Sequence, residues 1–244
     1  MAAQRRVDLG GLRIRDTTSR AMLRFLHRRL AGRQTLALGF ANHNFLLKCQ
    51  PMRERMWAEP NLLLLNDGIG MEIGCRLRRG RGFRENMNGT DFTPLFLAEE
   101  PNELRIYLVG GRPEVVAQAA AQIGAMPRRT VVGFTDGFSL WKREEEVVAE
   151  IARLKPDLLL VGLGNPLQER WILDNMARLD ATLIFGIGAL YEWMTGTKRR
   201  APMLVRRLHL EWIYRLALEP RRLGARYTVD VLRFFALLLT DKSR

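Results

Sequence analysis

One carboxylate stands out by its position in the chain. Asp67 follows four consecutive leucines and Asn66, and it precedes Gly68. An apolar run of this length predicts a buried parallel strand, and Asn-Asp-Gly predicts the turn that ends it. Because open α/β sheets bind ligands outside the carboxyl ends of their strands, Asp67 is expected at the rim of a cleft, where it can do chemistry on a substrate. Taken alone, the same Asp-Gly pair is compatible with a helix cap or a turn.

Three glycine-containing turns invite comparison with nucleotide-binding motifs. None has the GxGxxG spacing with a later acidic residue, and none is a P-loop with its Lys-Ser/Thr. They are better explained as tight strand-to-helix turns whose amides can approach a diphosphate. The three histidines are too far apart in sequence to form a recognisable metal motif. The turns are VGG at 109–111, VGLGNP at 161–166 and FGIGAL at 185–190.

The segments on both sides of Asp67 alternate between strand and helix patterns, which predicts parallel βαβ units and an α/β fold. Ligand-binding loops are then expected at the carboxyl ends of the strands. Strands are predicted at 35–40, 62–66, 104–111 and 130–134 and within 157–163 and 181–190, and helices from about 45 to Trp57, at 113–123 and at 144–154.

Composition and charge divide the chain of 244 residues into three parts. The net charge of +13 is concentrated in a basic segment, 1–34, and in a basic tail, 196–244, whereas the core, 35–195, is nearly neutral. Basic ends of this kind are expected to meet a polyanion. The two cysteines, Cys49 and Cys75, form no CxxC pattern, so a reduced cytosolic protein is expected.

The C-terminal tail has the pattern of two short amphipathic helices. Pro202 opens the first, apolar residues follow at a spacing of four, and Pro220 ends it. The second runs from 221 to about 240, with arginines early and an apolar end. Such helices fit an anionic membrane surface, and they fit equally well against the core or another subunit. Neither a signal peptide nor a spanning segment is expected from the sequence.

Several of these motifs occur together and in one order, and the chain thereby resembles the WecG/TagA/CpsF glycosyltransferases, glycosyltransferase family 26. The resemblance covers roughly residues 35 to 227. It rests on Asn42 after a strand, the Asp67 loop, NGTDF at 88–92, GLGNPLQERWI at 162–172 and EWIYRLALEPRRL at 211–223.

The resemblance implies an inverting transfer of a sugar from a UDP-sugar to a saccharide on a polyprenyl diphosphate, in cell-surface or exopolysaccharide synthesis. It also implies a Rossmann-like α/β core, no required metal or other cofactor, and a C-terminal appendage that touches the cytoplasmic face of the membrane. The implied partners are the nucleotide-sugar, the lipid-linked acceptor and the anionic inner-membrane surface. A homo-oligomer is also expected, and no nucleic acid.

The resemblance also assigns roles to single residues. Asp67 matches the family's general base, which takes the proton of the acceptor hydroxyl. Asn42 and Gln168 match positions that bind the substrates, and arginines are expected to stabilise the leaving diphosphate in place of a metal. The full set of expected substrate-binding residues is Asn42, Arg84, Asn86, Thr90, Asp91, Gln168, Arg215, Arg222 and Arg226.

Two positions depart from the family pattern. Phe40 stands where a threonine is frequent, and Asn86 stands where an arginine is common. Either Arg84 or an arginine of the appendage is expected to replace that lost charge, or this branch of the family uses a different donor. Two other functions remain open on the sequence: a nucleotide-dependent oxidoreductase or epimerase on a similar core, and a basic nucleic-acid-binding protein.

Overall fold

The structure, a computed structural model, describes residues 5–198, 201–202, 205, 211–221, 224 and 228–240, without the side chains of Glu211, Trp212 and Arg215. Its strands form one sheet. They are β1 (Arg6–Leu9), β2 (Leu12–Arg15), β3 (Leu36–Ala41), β4 (Leu62–Asn66), β5 (Leu104–Gly110), β6 (Arg129–Thr135), β7 (Leu158–Gly162) and β8 (Leu183–Gly186).

The strand order is β1-β2-β4-β3-β8-β7-β5-β6. The hairpin of β1 and β2 is antiparallel, and every other neighbouring pair is parallel. Parallel strands all end at the same edge of the sheet, which is called the carboxyl edge. The loops after β3, β4, β5, β6, β7 and β8 lie along this edge. The predicted α/β fold with a mostly parallel sheet is confirmed.

Helices cover both faces of this sheet. They are α1 (Ser19–Ala31), α2 (His43–Lys48), α3 (Arg53–Ala58), α4 (Ile69–Arg79), α5 (Gly89–Glu99), α6 (Pro113–Gly124), α7 (Gly137–Lys142), α8 (Glu144–Leu154), α9 (Leu167–Asn175), α10 (Leu190–Met194), α11 (Glu211–Leu218) and α12 (Val229–Thr240).

The leucines of β4 alternate between the two layers of the core. Leu63 and Leu65 pack among side chains of α1, α5, α6 and α10, whereas Leu64 packs among side chains of α2, α4 and α12. Since both faces are covered, the strand is apolar throughout rather than at every second residue. This burial fixes the strand, and with it the position of the turn that carries Asp67.

The single helix predicted up to about Trp57 is wrong. The chain instead forms α2, a short 3-10 turn at Gln50–Met52, and α3. Pro51 lies in this turn, and its ring removes the backbone N–H that a continuous helix would need. The break leaves α2 as a short helix directly after Asn42.

The C-terminal α12 packs on the core against α2 and α4. Phe234 is fully buried and Leu238 is 3% exposed. Gly74 of α4 makes the close approach possible, because a Cβ atom there would lie 2.8 Å from Leu238 Cδ1. Among the described residues, no helix has both the length and the apolar character that crossing a bilayer requires.

Candidate active site

The ends of β3 and β4 are tied together at Asp67. The backbone N–H of Asp67 donates to the carbonyl of Ala41 at 2.8 Å. Nδ2 of Asn42 donates to Oδ2 of Asp67 at 3.2 Å, and Oδ1 of Asn42 accepts from the N–H of Phe45 at 3.0 Å. Asn42 therefore caps α2 and positions the Asp67 carboxylate with the same amide. The structure brings together these two residues, which the sequence placed on separate strands.

The loop from 80 to 88 supports the turn from its other side. Oδ1 of Asn86 accepts from the N–H of Gly68 at 2.8 Å, and Nδ2 of Asn66 donates to the carbonyl of Glu85 at 3.0 Å. Gly68 has φ 89° and ψ 169°, a conformation that is essentially restricted to glycine. Asn86 thus holds the turn that carries Asp67 in this chain.

Arg84 lies in the same loop, two residues before Asn86. Its backbone N–H donates to Oδ1 of Asp16 at 2.9 Å, and its side chain is exposed. Arg81 reaches Oδ2 of the same Asp16 at 3.3 Å. The backbone of Arg84 and the guanidinium of Arg81 therefore hold the loop to Asp16, while the side chain of Arg84 is exposed.

Thr90 and Asp91 belong to the N-terminal cap of α5. Oδ1 of Asn88 accepts from the N–H of Asp91 at 2.9 Å and from Oγ1 of Thr90 at 2.8 Å, while Nδ2 of Asn88 donates to Asp91. An aspartate in the first turn also suits the positive end of the helix dipole. Their expected contact with substrate stays a prediction.

Phe40, one of the two departures from the family pattern, faces the core. It is 7% exposed, and its ring lies 6.2 Å from that of Phe92. A Cβ atom on Gly89 would come within 2.6 Å of the Phe40 ring. The phenyl group is thus accommodated by the glycine opposite it and fills the layer between β3 and α5.

Gln168 lies under the carboxyl edge of the sheet rather than at an open surface. It is 2% exposed; its Oε1 accepts from the N–H of Gly188 at 2.9 Å, and its Nε2 donates to Glu169 at 2.8 Å. Gly186 makes room, since a Cβ there would lie 2.5 Å from Nε2. Gln168 thereby joins the loops after β7 and β8, and its contact with a nucleotide-sugar stays a prediction.

Glu169 is a buried acid that sequence reasoning missed. It is 6% exposed, and burial raises its pKa to about 7 despite the hydrogen bond from Gln168. The Sγ atom of Cys49 lies 3.9 Å from its Oε2, and the pKa of this thiol is raised well above its usual range by burial first and by Glu169 second. No pattern in GLGNPLQERWI distinguished Glu169 from a surface glutamate.

Two exposed aromatic side chains at the carboxyl edge, Phe138 and Trp141, also escaped the sequence analysis. Asp136 follows β6 and caps α7 by accepting from the N–H groups of Phe138 and Ser139. Phe138 is 64% exposed and Trp141 is 48% exposed. The Asp-Gly-Phe sequence after a strand has the same form as Asn-Asp-Gly at Asp67, and this was the signal available.

Backbone hydrogen bonds between glycines connect the turn before Phe138 to the neighbouring strands. The N–H of Gly137 donates to the carbonyl of Gly111 at 2.9 Å, and the N–H of Gly111 donates to the carbonyl of Gly162 at 3.1 Å. Gly110, Gly111, Gly164 and Gly188 all have positive φ. Backbone amides therefore lie close to the carboxyl edge, where anionic groups can approach them.

The appendage arginines are only partly covered by the structure. Arg215 lies on α11 without a described side chain, and Arg222 and Arg226 lie outside the described residues. Within the described part of the chain, no three His, Cys, Asp or Glu side chains form a metal-binding group. The expectation that no metal is required stays a prediction.

The model of the glycosyl transferase WecG/TagA/CpsF family matches residues 7–244. This chain belongs to that family. An N-acetylglucosaminyldiphosphoundecaprenol N-acetyl-beta-D-mannosaminyltransferase from Staphylococcus aureus (strain NCTC 8325 / PS 47) is 34% identical over 134 residues, which cover 54% of this chain and 52% of that protein. A transferase of the same name from Bacillus subtilis (strain 168) is 33% identical over 162 residues, which cover 65% and 62%.

The match to these two relatives spans about half to three fifths of their length. Family membership, by contrast, extends over nearly the whole chain, including the hairpin β1–β2 and α12. The resemblance inferred from the motifs at Asn42, Asp67 and Gln168 is therefore confirmed.

Proposed function

We propose that this protein is an inverting glycosyltransferase that moves a sugar from a UDP-sugar to a saccharide carried on a polyprenyl diphosphate. The observation that carries the proposal is the Asp67 carboxylate, held by Asn42 at the carboxyl edge of the sheet in a WecG/TagA/CpsF chain. The names of the two relatives describe an N-acetylmannosaminyl transferase and an acceptor built on diphosphoundecaprenol.

In the proposed reaction, Asp67 acts as the general base. The acceptor hydroxyl oxygen attacks the anomeric carbon opposite the UDP group, a new C–O bond forms, and the bond to UDP breaks with its electron pair. The hydroxyl proton passes to the carboxylate of Asp67, a step that typically contributes about 10²- to 10⁴-fold to the rate. The hydrogen bond from Asn42 orients the carboxylate for this transfer.

The leaving UDP carries negative charge that the protein must stabilise. The glycine turns after β5, β7 and β8 place backbone amides near it, and the exposed guanidinium of Arg84 supplies one cation. Arg215, Arg222 and Arg226, which the family resemblance assigns to substrate binding, would supply others. No metal takes part in this proposal.

The uracil of the donor fits beside Phe138. An exposed ring next to a glycine turn offers a flat apolar surface for a heterocyclic base, and Phe138 lies directly after Gly137, which is bonded to Gly111. The diphosphate would then lie toward the strands that carry Gly110 and Gly164. The sugar would lie toward Asp67.

The same proposal places the protein at the cytoplasmic face of the cell membrane, as a peripheral protein with no nucleic-acid partner. The acceptor lipid is confined to a bilayer, and the basic ends of the chain favour anionic phosphate groups. The exposed leucines of α12, Leu232 at 72% and Leu239 at 84%, suit contact with the acyl boundary.

A donor screen tests the proposed function. The full chain is incubated with UDP- and GDP-sugars and N-acetylglucosamine diphosphate on a short isoprenoid, and products are identified by mass spectrometry. We expect one UDP-N-acetylhexosamine or UDP-hexose to be used, with inversion at the anomeric carbon by NMR and undiminished activity in EDTA. Retention of configuration, or NAD(P) binding with no transfer from any donor, would overturn the proposal.

A further inference from the structure

Helix α4 exposes an apolar row on the side that faces solvent. Ile69 and Ile73 are each 40% exposed, and Leu77 is 66% exposed. A spacing of four residues places all three on one face of the helix, over a length of about 12 Å. These three residues are called the α4 row.

The α4 row is not the surface that holds the helix to the protein. On the other side of α4, Met71 is fully buried and Cys75 is 1% exposed. Gly74 lies against Phe234 and Leu238 of α12. Since this opposite face already anchors α4 to the core, the exposed side chains of the row remain available for a partner outside the chain.

A basic segment continues from the α4 row. Residues 76–84 contain five arginines and no acidic residue. Arg76 pairs with Glu72 at 2.9 Å and Arg81 pairs with Asp16 at 3.3 Å, and Arg79 is exposed. An apolar row bordered by arginines is typical of a helix that lies in the interface of an anionic membrane.

The neighbouring α12 also exposes apolar side chains. Val229, Leu232 and Leu239 are 46%, 72% and 84% exposed. They lie roughly opposite Phe234 and Leu238, the residues through which α12 packs on the core. Helices α4 and α12 therefore each pack on the core through one apolar face and expose apolar side chains elsewhere.

We propose that the α4 row and the arginines of 76–81 dock on an anionic phospholipid bilayer, so that α4 is a membrane contact in addition to the α12 leucines proposed above. The inference rests on the proposed function, in which the acceptor is linked to a lipid. Ile69 follows Asp67 by two residues, so docking through α4 brings the general base to the surface where a lipid-linked acceptor emerges. A symmetric contact between two copies through this row would instead bring the arginines of 76–81 close to their own equivalents, and these like charges repel one another.

Sedimentation with sucrose-loaded vesicles tests this proposal on the full chain. We compare wild type with the double variant Ile73→Glu/Leu77→Glu on phosphatidylglycerol/phosphatidylcholine vesicles and on phosphatidylcholine alone. The matched control is Leu95→Glu on α5, where Leu95 is 36% exposed. We expect the double variant to bind mixed vesicles about tenfold more weakly or worse, the control to stay within about twofold of wild type, and wild-type binding to weaken with salt.

A label at the α4 row gives a measurement that does not depend on losing binding. Leu77→Cys is labelled with a bimane dye, while Cys49 and Cys75, 0% and 1% exposed, are protected by burial. A blue shift on adding mixed vesicles is expected for this label and not for one at Leu95→Cys. Lipid binding needs no donor sugar. If the donor screen finds no transfer while the bimane label still shifts to the blue with mixed vesicles, the proposed function alone would be overturned.

Three results would overturn docking through α4. They are unchanged vesicle binding by a folded double variant, an unshifted bimane spectrum at position 77, and a wild-type oligomer, seen by light scattering, that the double variant converts to monomer. The last result would assign the α4 row to a contact between copies of the chain.

Discussion

Asn42 donates its Nδ2 hydrogen to Oδ2 of Asp67 across 3.2 Å, and through its Oδ1 it caps α2. Asn42 follows β3 and Asp67 follows β4, and these strands are parallel neighbours with Ala41 opposite Asn66. The hydrogen bond therefore links the carboxylate directly to the sheet. A base on an otherwise flexible turn gains a defined orientation in this way.

Asn42→Ser separates the two roles of this amide. The serine hydroxyl can still cap α2, but it is too short to reach Asp67 as Nδ2 does. We expect kcat to fall by about tenfold or more, while the melting temperature stays within about 2 °C of wild type. Asn42→Ala, which loses both contacts, should lower the melting temperature as well, by the equivalent of about 1 kcal/mol. Wild-type kcat in Asn42→Ser would show that the contact does not orient the base.

Gly68→Ala and Gly80→Ala form a matched pair. Both glycines have positive φ, 89° and 69°, and a Cβ atom at either would meet nothing within 4 Å. Each substitution should destabilise the protein by about 1 to 3 kcal/mol through backbone strain. Only Gly68→Ala should also reduce kcat, because Gly68 adjoins Asp67 and its N–H donates a hydrogen bond to Asn86. Equal kcat values in the two variants at a temperature where both are folded would contradict this assignment.

Phe138→Ala tests the stacking of the donor base. Removing the exposed ring should raise KM for the UDP-sugar by about fivefold to tenfold with little change in stability, because the side chain is 64% exposed. Phe138→Tyr keeps the ring and should restore the wild-type KM. An unchanged KM in Phe138→Ala would place the uracil elsewhere along the carboxyl edge.

Glu169 predicts a pH dependence of stability. Its pKa in the folded protein is raised to about 7 from an ordinary value of 4.5, so the folded state holds the proton more tightly than the unfolded state. This contribution to the free energy of unfolding is complete below about pH 4.5 and is lost as the pH rises toward 7, by a few kcal/mol at most. Glu169→Gln should flatten that decline in denaturant titrations between pH 5 and 8. Parallel pH profiles for the two proteins would contradict it.

The sequence predicted the parts of the site that depend on local patterns. The apolar run before Asp67 and the strand before Asn42 were sufficient to place both residues at strand ends, since burial on two faces leaves a continuous apolar signature. Their pairing depends on β3 and β4 being neighbours, and that adjacency comes from the structure alone. The described parts of the tail are helical, as α11 and α12, but their role as an appendage stays a prediction.

Other features were beyond local reasoning for physical reasons. The strands β1 and β2 are only four residues long, and charged residues alternate with apolar ones in both, so the basic segment 1–34 gave a charge signal rather than a strand signal. The burial of Gln168 and Glu169 follows from the packing of α9 under β8, which no spacing in the sequence reveals. Exposure of the α4 row likewise depends on which side of α4 meets α12.

Replacing Asp67 by asparagine tests the central claim most directly. Asp67→Asn keeps the size of the side chain and a hydrogen-bonding oxygen for Asn42 but removes the basic carboxylate. With the donor identified by the screen, we predict a loss of transfer of about 10²-fold or more, while the Kd for UDP and the melting temperature stay close to wild type. Transfer by Asp67→Asn at the wild-type rate would contradict the assignment of Asp67 as the general base.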